Sequence, residues 1–180
     1  RTMAGYCSQI LNGIGVSCEA LIGGVSAVYI ANRNDVEGVT MEDTISAITM
    51  AEGTKFSVYL HRRNAAVSMS SDKSGDEAIG THVITTNISL VFAGLDTDKR
   101  KEVDALARGQ FVVIVKDKNG KYWMPIVPPN DDYMSASAAN ASTGAATSEA
   151  NGYTLTLTGE ASHFPIEVEA TAMAELINEL

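Results

Sequence analysis

Three histidines, two cysteines and a few paired carboxylates are the residues from which this 180-residue chain could build chemistry. The histidines are His61, His82 and His163. None has the i, i+4 or His-x-His spacing that turns two imidazoles toward one metal ion. His61 and His82 could face each other only across a hairpin, and they read as solvated strand histidines. Cys7 and Cys18 lack Cys-x-x-Cys spacing and read as reduced thiols, with a Cys7–Cys18 disulfide as the alternative. Gly13-Ile14-Gly15 begins like a dinucleotide loop, but Cys18 stands where the third glycine is needed and no strand precedes it. Asp131-Asp132 and the pair Glu167 and Glu169 offer the two carboxyls that acid–base work requires. They read as an acidic, solvated face. Asp117 to Gly120 lacks the later acidic ligands of a calcium loop. There is no phosphate-binding Walker loop and no Gly-x-Ser-x-Gly elbow. These residues predict no active site, no metal, no cofactor and no enzymatic activity.

The charge is more informative. Thirteen Lys and Arg stand against 22 Asp and Glu, a formal net of −9. That balance disfavours a nonspecific grip on nucleic acid, which depends on cations neutralising phosphates. Its distribution is uneven. Residues 55–124 are net positive, whereas residues 125–180 hold eight acids and no base, Lys121 being the last cation. No run approaches the ~20 apolar residues of a membrane helix, so no membrane partner is expected. No signal peptide is read at the start.

The elements that must position these residues are mostly strands. Val25–Ala31 is β-branched and aromatic, with turn chemistry at Asn32–Asp35, and Ile45–Met50 reads as a shorter strand. Phe56, Val58 and Leu60 alternate with polar neighbours, as do Ile84, Thr86, Ile88, Leu90 and Phe92. Between them lies a polar tip, Ser70–Glu77. The expectation is one long hairpin over 55–92, whose first arm would span about 50 Å at ~3.3 Å per residue and project from the domain. Residues 96–108 predict a helix, capped by Asp96 or Thr97 and ended by Gly109 in a left-handed C′ position. Gln110–Lys116 and Lys121–Met124 flank Asn119-Gly120 as a hairpin. Residues 134–148, rich in Ala, Ser and Thr, read as a loop or as small-residue strands. Tyr153–Thr158 alternates cleanly and is expected to end at Gly159. Phe164–Val168 reads as a further strand.

The predicted fold is mainly β: an antiparallel β-sandwich or barrel with one flanking α-helix and a long projecting hairpin. Residues 1–22 form an arm or short helix, 23–169 the domain, and 170–180 a terminal helix or tail.

The order of features from residue 55 onward is long strand, polar tip, return strand Ile84–Phe92 and capped helix. Lys116-Asp117-Lys118-Asn119-Gly120-Lys121-Tyr122-Trp123 follows, and Thr143–Ala146 leads into Asn151–Gly159. With the Cys7…Cys18…Gly23-Gly24…Val28–Asn32 opening, this resembles tail-tube-type virion proteins of tailed bacteriophages, in particular those of phages infecting Bacteroides-like hosts. The resemblance implies a structural protein of the virion tail, made in the host bacterial cytoplasm. Its subunits would form a hexameric ring whose inner strands close a barrel, and rings would stack into a tube for genome ejection. Partners would be further copies of the chain and other phage tail or neck proteins, with DNA passing an acidic lumen without sequence-specific binding. A neck or connector ring is the related alternative. A carbohydrate- or surface-binding β-sandwich using Tyr122, Trp123 and Tyr133 is the alternative from another class.

Head-to-tail stacking needs two complementary surfaces on each subunit. The candidate interface residues are Ser71, Asp72, Lys73, Asp76 and Glu77 of the tip, with Lys99, Arg100 and Arg108 of the helix.

Overall fold

The computed structural model describes residues 12–63 and 65–178. Among the described residues eleven strands form two sheets, accompanied by two α-helices. In chain order these are β1 (Val25–Asn32), β2 (Val36–Met41), β3 (Ile45–Met50), β4 (Ser57–Leu60), β5 (Ser68–Ser74) and β6 (Val83–Ala93). Helix α1 (Thr97–Arg108) follows, then β7 (Phe111–Asp117), β8 (Tyr122–Met124), β9 (Ser135–Ser142), β10 (Gly152–Ala161), β11 (Ile166–Val168) and α2 (Ala170–Met173). The larger sheet has the order β2-β3-β11-β8-β7-β1-β4, and the smaller one β5-β6-β10-β9. Pairing is antiparallel throughout, except that β11 meets β3 in parallel at Val168 and Ile45. The fold is mainly β and sandwich-like, and neither sheet closes into a barrel.

Strands β1 and β7 form the middle layer. Their residues point alternately into two cores. Ala27, Tyr29, Val112 and Ile114 enter a core shared with Phe56, Met124, Met173 and Leu176. Val28, Ile30, Val113 and Val115 enter a second core with Ile88, Leu90, Leu155 and Leu157 of the smaller sheet. Five consecutive residues of β7, Phe111–Val115, are therefore buried. A strand covered on both faces needs an unbroken apolar run, whereas a half-covered strand needs alternation. Strands β6 and β10 show that alternation.

Helix α1 matches its expected range. The Asp96 carboxylate accepts the Lys99 N–H at 2.8 Å, as an N-cap should, and Val103 and Leu106 are its buried side. The expected left-handed Gly109 is corrected: its φ is −86° and its ψ 175°, an extended conformation. The chain turns directly into β7 there, and a Cβ on Gly109 would lie 2.1 Å from the Phe111 ring. Gly159 does not end its strand either, because β10 continues to Ala161. A Cβ at Gly159 would lie 2.7 Å from Met134 Cγ and 2.9 Å from Ile126 Cγ1, so the glycine makes room for core side chains.

The single hairpin over 55–92 is corrected as well. Residues 57–60 pair with β1 in the larger sheet, whereas residues 68–74 pair with β6 in the smaller one. The chain changes sheets between Leu60 and Ser68. Alternation read on each side of that crossover looks continuous, because sequence periodicity does not record which sheet a strand joins. Ser71, Asp72 and Lys73 lie within β5, and the tip is the loop 75–82. Strand β6 runs beside β10 from Ala93 to Ile84, so only the loop extends beyond it.

Residues 134–148 resolve in favour of a small-residue strand, β9, followed by a loop. The end of the described chain is not a free tail. Met173 and Leu176 are buried, and Phe56 is held between the Leu176 carbonyl and the Asn178 amide. Of the expected arm, residues 12–22 carry no regular structure, and residues 1–11 lie outside the described part.

Candidate functional site

The residues that first suggested chemistry are separated and structurally engaged. His163 lies against Asp131, Nε2 to Oδ2 at 2.7 Å, and its Nδ1 donates to the Phe164 carbonyl at 2.8 Å. The same Asp131 oxygen accepts the Val127 N–H, so this carboxylate pins a loop. Glu167 reaches Lys121 at 3.9 Å, and Glu169 accepts the Thr44 hydroxyl at 2.9 Å. His61 Nδ1 donates to the Val91 carbonyl, and its ring packs on Phe92. It does not face His82, which lies in the exposed loop 75–82. Among the described residues no three His, Cys, Asp or Glu side chains gather to hold a metal, and no helix is long and apolar enough to cross a membrane. Cys18 is a free, exposed thiol, while its possible partner Cys7 lies outside the described residues.

Tyr122 and Trp123 do not form a platform. Tyr122 packs on Tyr29 with ring centroids 5.9 Å apart, and Lys116 sits over its ring. Burial, then the neighbouring Tyr122, pushes the Tyr29 hydroxyl up to about 12. Trp123 is the next residue on the same strand, so its side chain leaves by the opposite face. Its Nε1 donates to Asp117 Oδ2 at 3.0 Å. Asp117 also accepts the backbone N–H groups of Asn119 and Lys121 from its other oxygen. Burial pushes this carboxyl up, but the three hydrogen bonds and the Lys121 charge outweigh it and hold the group below its ordinary range. Asp117 thus organises the Asn119-Gly120 hairpin.

The eight candidate interface residues divide into two groups. Lys99 contacts Asp96 at 3.1 Å and donates to the Ala93 carbonyl, Arg100 pairs with Asp104 at 2.9 Å, and Arg108 donates to the Asp104 carbonyl. These three are tied to their own helix and its entry. Lys99 also supplies most of what holds Asp96 below the ordinary carboxylate range, through its backbone N–H first and then its ammonium. The other five lie along β5 and its loop. Ser71 meets Thr86 across the strand pair at 2.7 Å, on the core-facing side. Asp72 lies on the outer side, and Lys73 is exposed on the next residue. Asp76 caps the tip by accepting the Ala78 N–H, and Glu77 and Ile79 stand exposed beside it.

Two surfaces emerge that the sequence did not display. The first is the outer face of the smaller sheet. Alternation turns Thr85, Asn87 and Ser89 of β6 outward beside Thr154, Thr156 and Thr158 of β10. The Thr158 hydroxyl bonds to Asn87 Oδ1 at 2.7 Å and to Ser137 at 2.8 Å, joining three strands across this face. Asp72 lies opposite Thr85, which lies opposite Glu160, so one row carries both acids. No Lys or Arg belongs to this face, and β5 and β9 are the sheet's edges. Among the described C-terminal acids, Glu160 belongs to this face, and Asp132 lines a hollow at its border with Ser137 and Thr158. Asp131 is engaged elsewhere by His163, and Glu149 by the amides of Ala145 and Ala146.

The second surface is a cleft where the chain crosses between sheets. A cavity of about 330 Å³ is lined by Arg62, Arg63 and Lys118 together with Gly24 and Val67. Beside it, sharing His61, Arg62 and Ala65, a cavity of about 220 Å³ is lined by Leu60, Val91 and Phe92 together with Lys99. Arg62 and Arg63 are adjacent in sequence, but Lys118 joins them only through the fold.

No family model, curated protein or solved structure matches this chain.

Proposed function

We propose that this chain is a non-enzymatic structural subunit that assembles with copies of itself into rings and stacked rings, as a tail-tube protein of a tailed bacteriophage does. The supporting observation is the outer face of the smaller sheet. It is made of hydroxyls and amides, carries Asp72 and Glu160 without a base, and ends in two edge strands. Open edges invite further pairing, and placing β5 beside β9 of the next copy would close them into a ring. A closed ring would turn this face toward a common lumen. A lumen of hydroxyls and acids repels phosphates, so DNA would pass without sticking.

The test is size as a function of concentration. Light scattering and negative-stain electron microscopy of the purified chain are expected to reveal rings of uniform diameter, and stacked tubes at higher concentration. A monomer of 19.0 kDa at every concentration would overturn the proposal.

A further inference from the structure

The cleft where the chain crosses between sheets has the lining of an anion site. Its cavity of about 330 Å³ brings together Arg62, Arg63, Lys118, His61 and Ser26. Among the described residues no carboxylate lines it, in a chain whose 22 acids outnumber its 13 bases. Lys118 is set in place by the fold. Its N–H donates to the Gly24 carbonyl at 3.2 Å, and a Cβ on Gly24 would stand 3.1 Å from its ammonium nitrogen, so the glycine admits the side chain. The Asn119 side chain exchanges two hydrogen bonds with the backbone of Ile22, each 3.1 Å, and holds the two segments together.

His61 supplies an independent observation. Its Nδ1 donates to the Val91 carbonyl at 2.9 Å, and its ring packs on Phe92. A carbonyl only accepts, so in the neutral ring the lone pair belongs to Nε2. Among the described residues Nε2 is buried and has no hydrogen-bond partner. Folded proteins rarely leave a buried polar group in that condition, and a bound ion is one physical reason for it.

We infer that this cleft binds inorganic phosphate. The two guanidinium groups and the Lys118 ammonium take its negative oxygens, and its P–O–H donates to His61 Nε2. Guanidinium forks match the spacing of phosphate oxygens, and the ammonium adds a point charge. At neutral pH phosphate keeps a P–O–H and sulfate has none, so the lone pair on Nε2 distinguishes two tetrahedral anions of similar size. It equally disfavours the phosphodiester of a nucleic acid, which lacks that proton. The site goes beyond the self-assembly reading and does not depend on it, since its lining shares no residue with the outer face of the smaller sheet.

Calorimetric titration with sodium phosphate tests the site, in a phosphate-free buffer at constant ionic strength, with sodium sulfate and a thymidine oligonucleotide as comparison probes. Phosphate should bind the wild-type chain at least about tenfold more tightly than sulfate, the difference one hydrogen bond makes. Arg62→Ala/Arg63→Ala and Lys118→Gln should each weaken phosphate at least about tenfold, with circular dichroism and the ligand-free melting temperature unchanged. His61→Asn keeps a donor for Val91 and removes Nε2, so it should bring phosphate and sulfate to within about threefold of each other. No heat of binding up to about 10 mM phosphate would overturn the inference. So would sulfate bound as tightly as phosphate, an oligonucleotide bound more tightly than phosphate, or affinity that survives the arginine and lysine changes.

Discussion

Strands β7 and β10 are each well buried, yet they are built on opposite rules. In β7 five successive residues, Phe111–Val115, are buried because a core lies on each side of the larger sheet. In β10 Tyr153, Leu155 and Leu157 are buried, while Thr154 is exposed and Thr156 and Thr158 are half-covered. The larger sheet therefore spends both faces at its centre on stability. The smaller sheet spends one face on the core and leaves the other to solvent or to a partner. A face kept polar and free of cations is available for assembly without being an aggregation hazard in the free subunit.

The sharpest break of this comparison is a pair of truncations in β7. Ile114→Ala and Val113→Ala point into different cores, and both should destabilise, the isoleucine change by about 2–5 kcal/mol. Chemical denaturation measures it. If only one of the two neighbours were costly, the two-core account of β7 would fail. Overpacking is next in size. Gly159→Ala should cost about 1–3 kcal/mol, since the new methyl meets Met134 and Ile126. A melting temperature equal to the wild-type value would show that this core has room.

Asp117 sharpens the comparison at the rim of the larger sheet. Asp117→Asn should cost about 1 kcal/mol at neutral pH, because hydrogen bonds to a charged acceptor are stronger than those to a neutral one. The folded protein holds this carboxyl below its unfolded value. Its contribution is therefore present above the unfolded pKa of ~3.9 and is lost as pH falls through the lower, folded one. Unfolding free energies measured from pH 7 down to pH 2 should fall less steeply for the variant. An unchanged acid branch would remove Asp117 from the explanation. The smallest effect belongs to the outer face of β10, where Thr154→Ala should change stability by less than about 0.5 kcal/mol. A larger loss in the isolated subunit would mean that this face contributes to the fold itself.

Much of the fold was legible because local physics wrote it locally. Alternation in β6 and β10, the unbroken run of β7, the Asp96 cap and the Asn119-Gly120 turn each depend on residues close in sequence. The failures share a cause. Gly109 and Gly159 look like backbone punctuation in sequence, yet each is small because a distant or folded-back side chain occupies the space. Residues 55–92 look like one hairpin in sequence because strands on either side of the crossover have the same period.

The candidate site was less legible. The charge run 125–180 suggests an acidic surface, but among the described residues the fold engages Asp131 with His163 and Glu149 with its own loop, and sets Glu160 in line with Asp72. The helix cations Lys99, Arg100 and Arg108 looked available and are occupied by their own helix. Arg62 and Arg63 carry no sequence signal, since a pair of arginines after a strand has no motif.

By itself, the sequence determined the element types, the core-facing residues of most strands and the excess of acid over base, because these follow from periodicity, propensity and counting. Tertiary structure decided which sheet each strand joins and which charges become neighbours. It set Lys118 beside Arg62 and Arg63, and Asp72 in line with Glu160. Those outcomes depend on contacts between residues far apart in the chain, and no local preference encodes them.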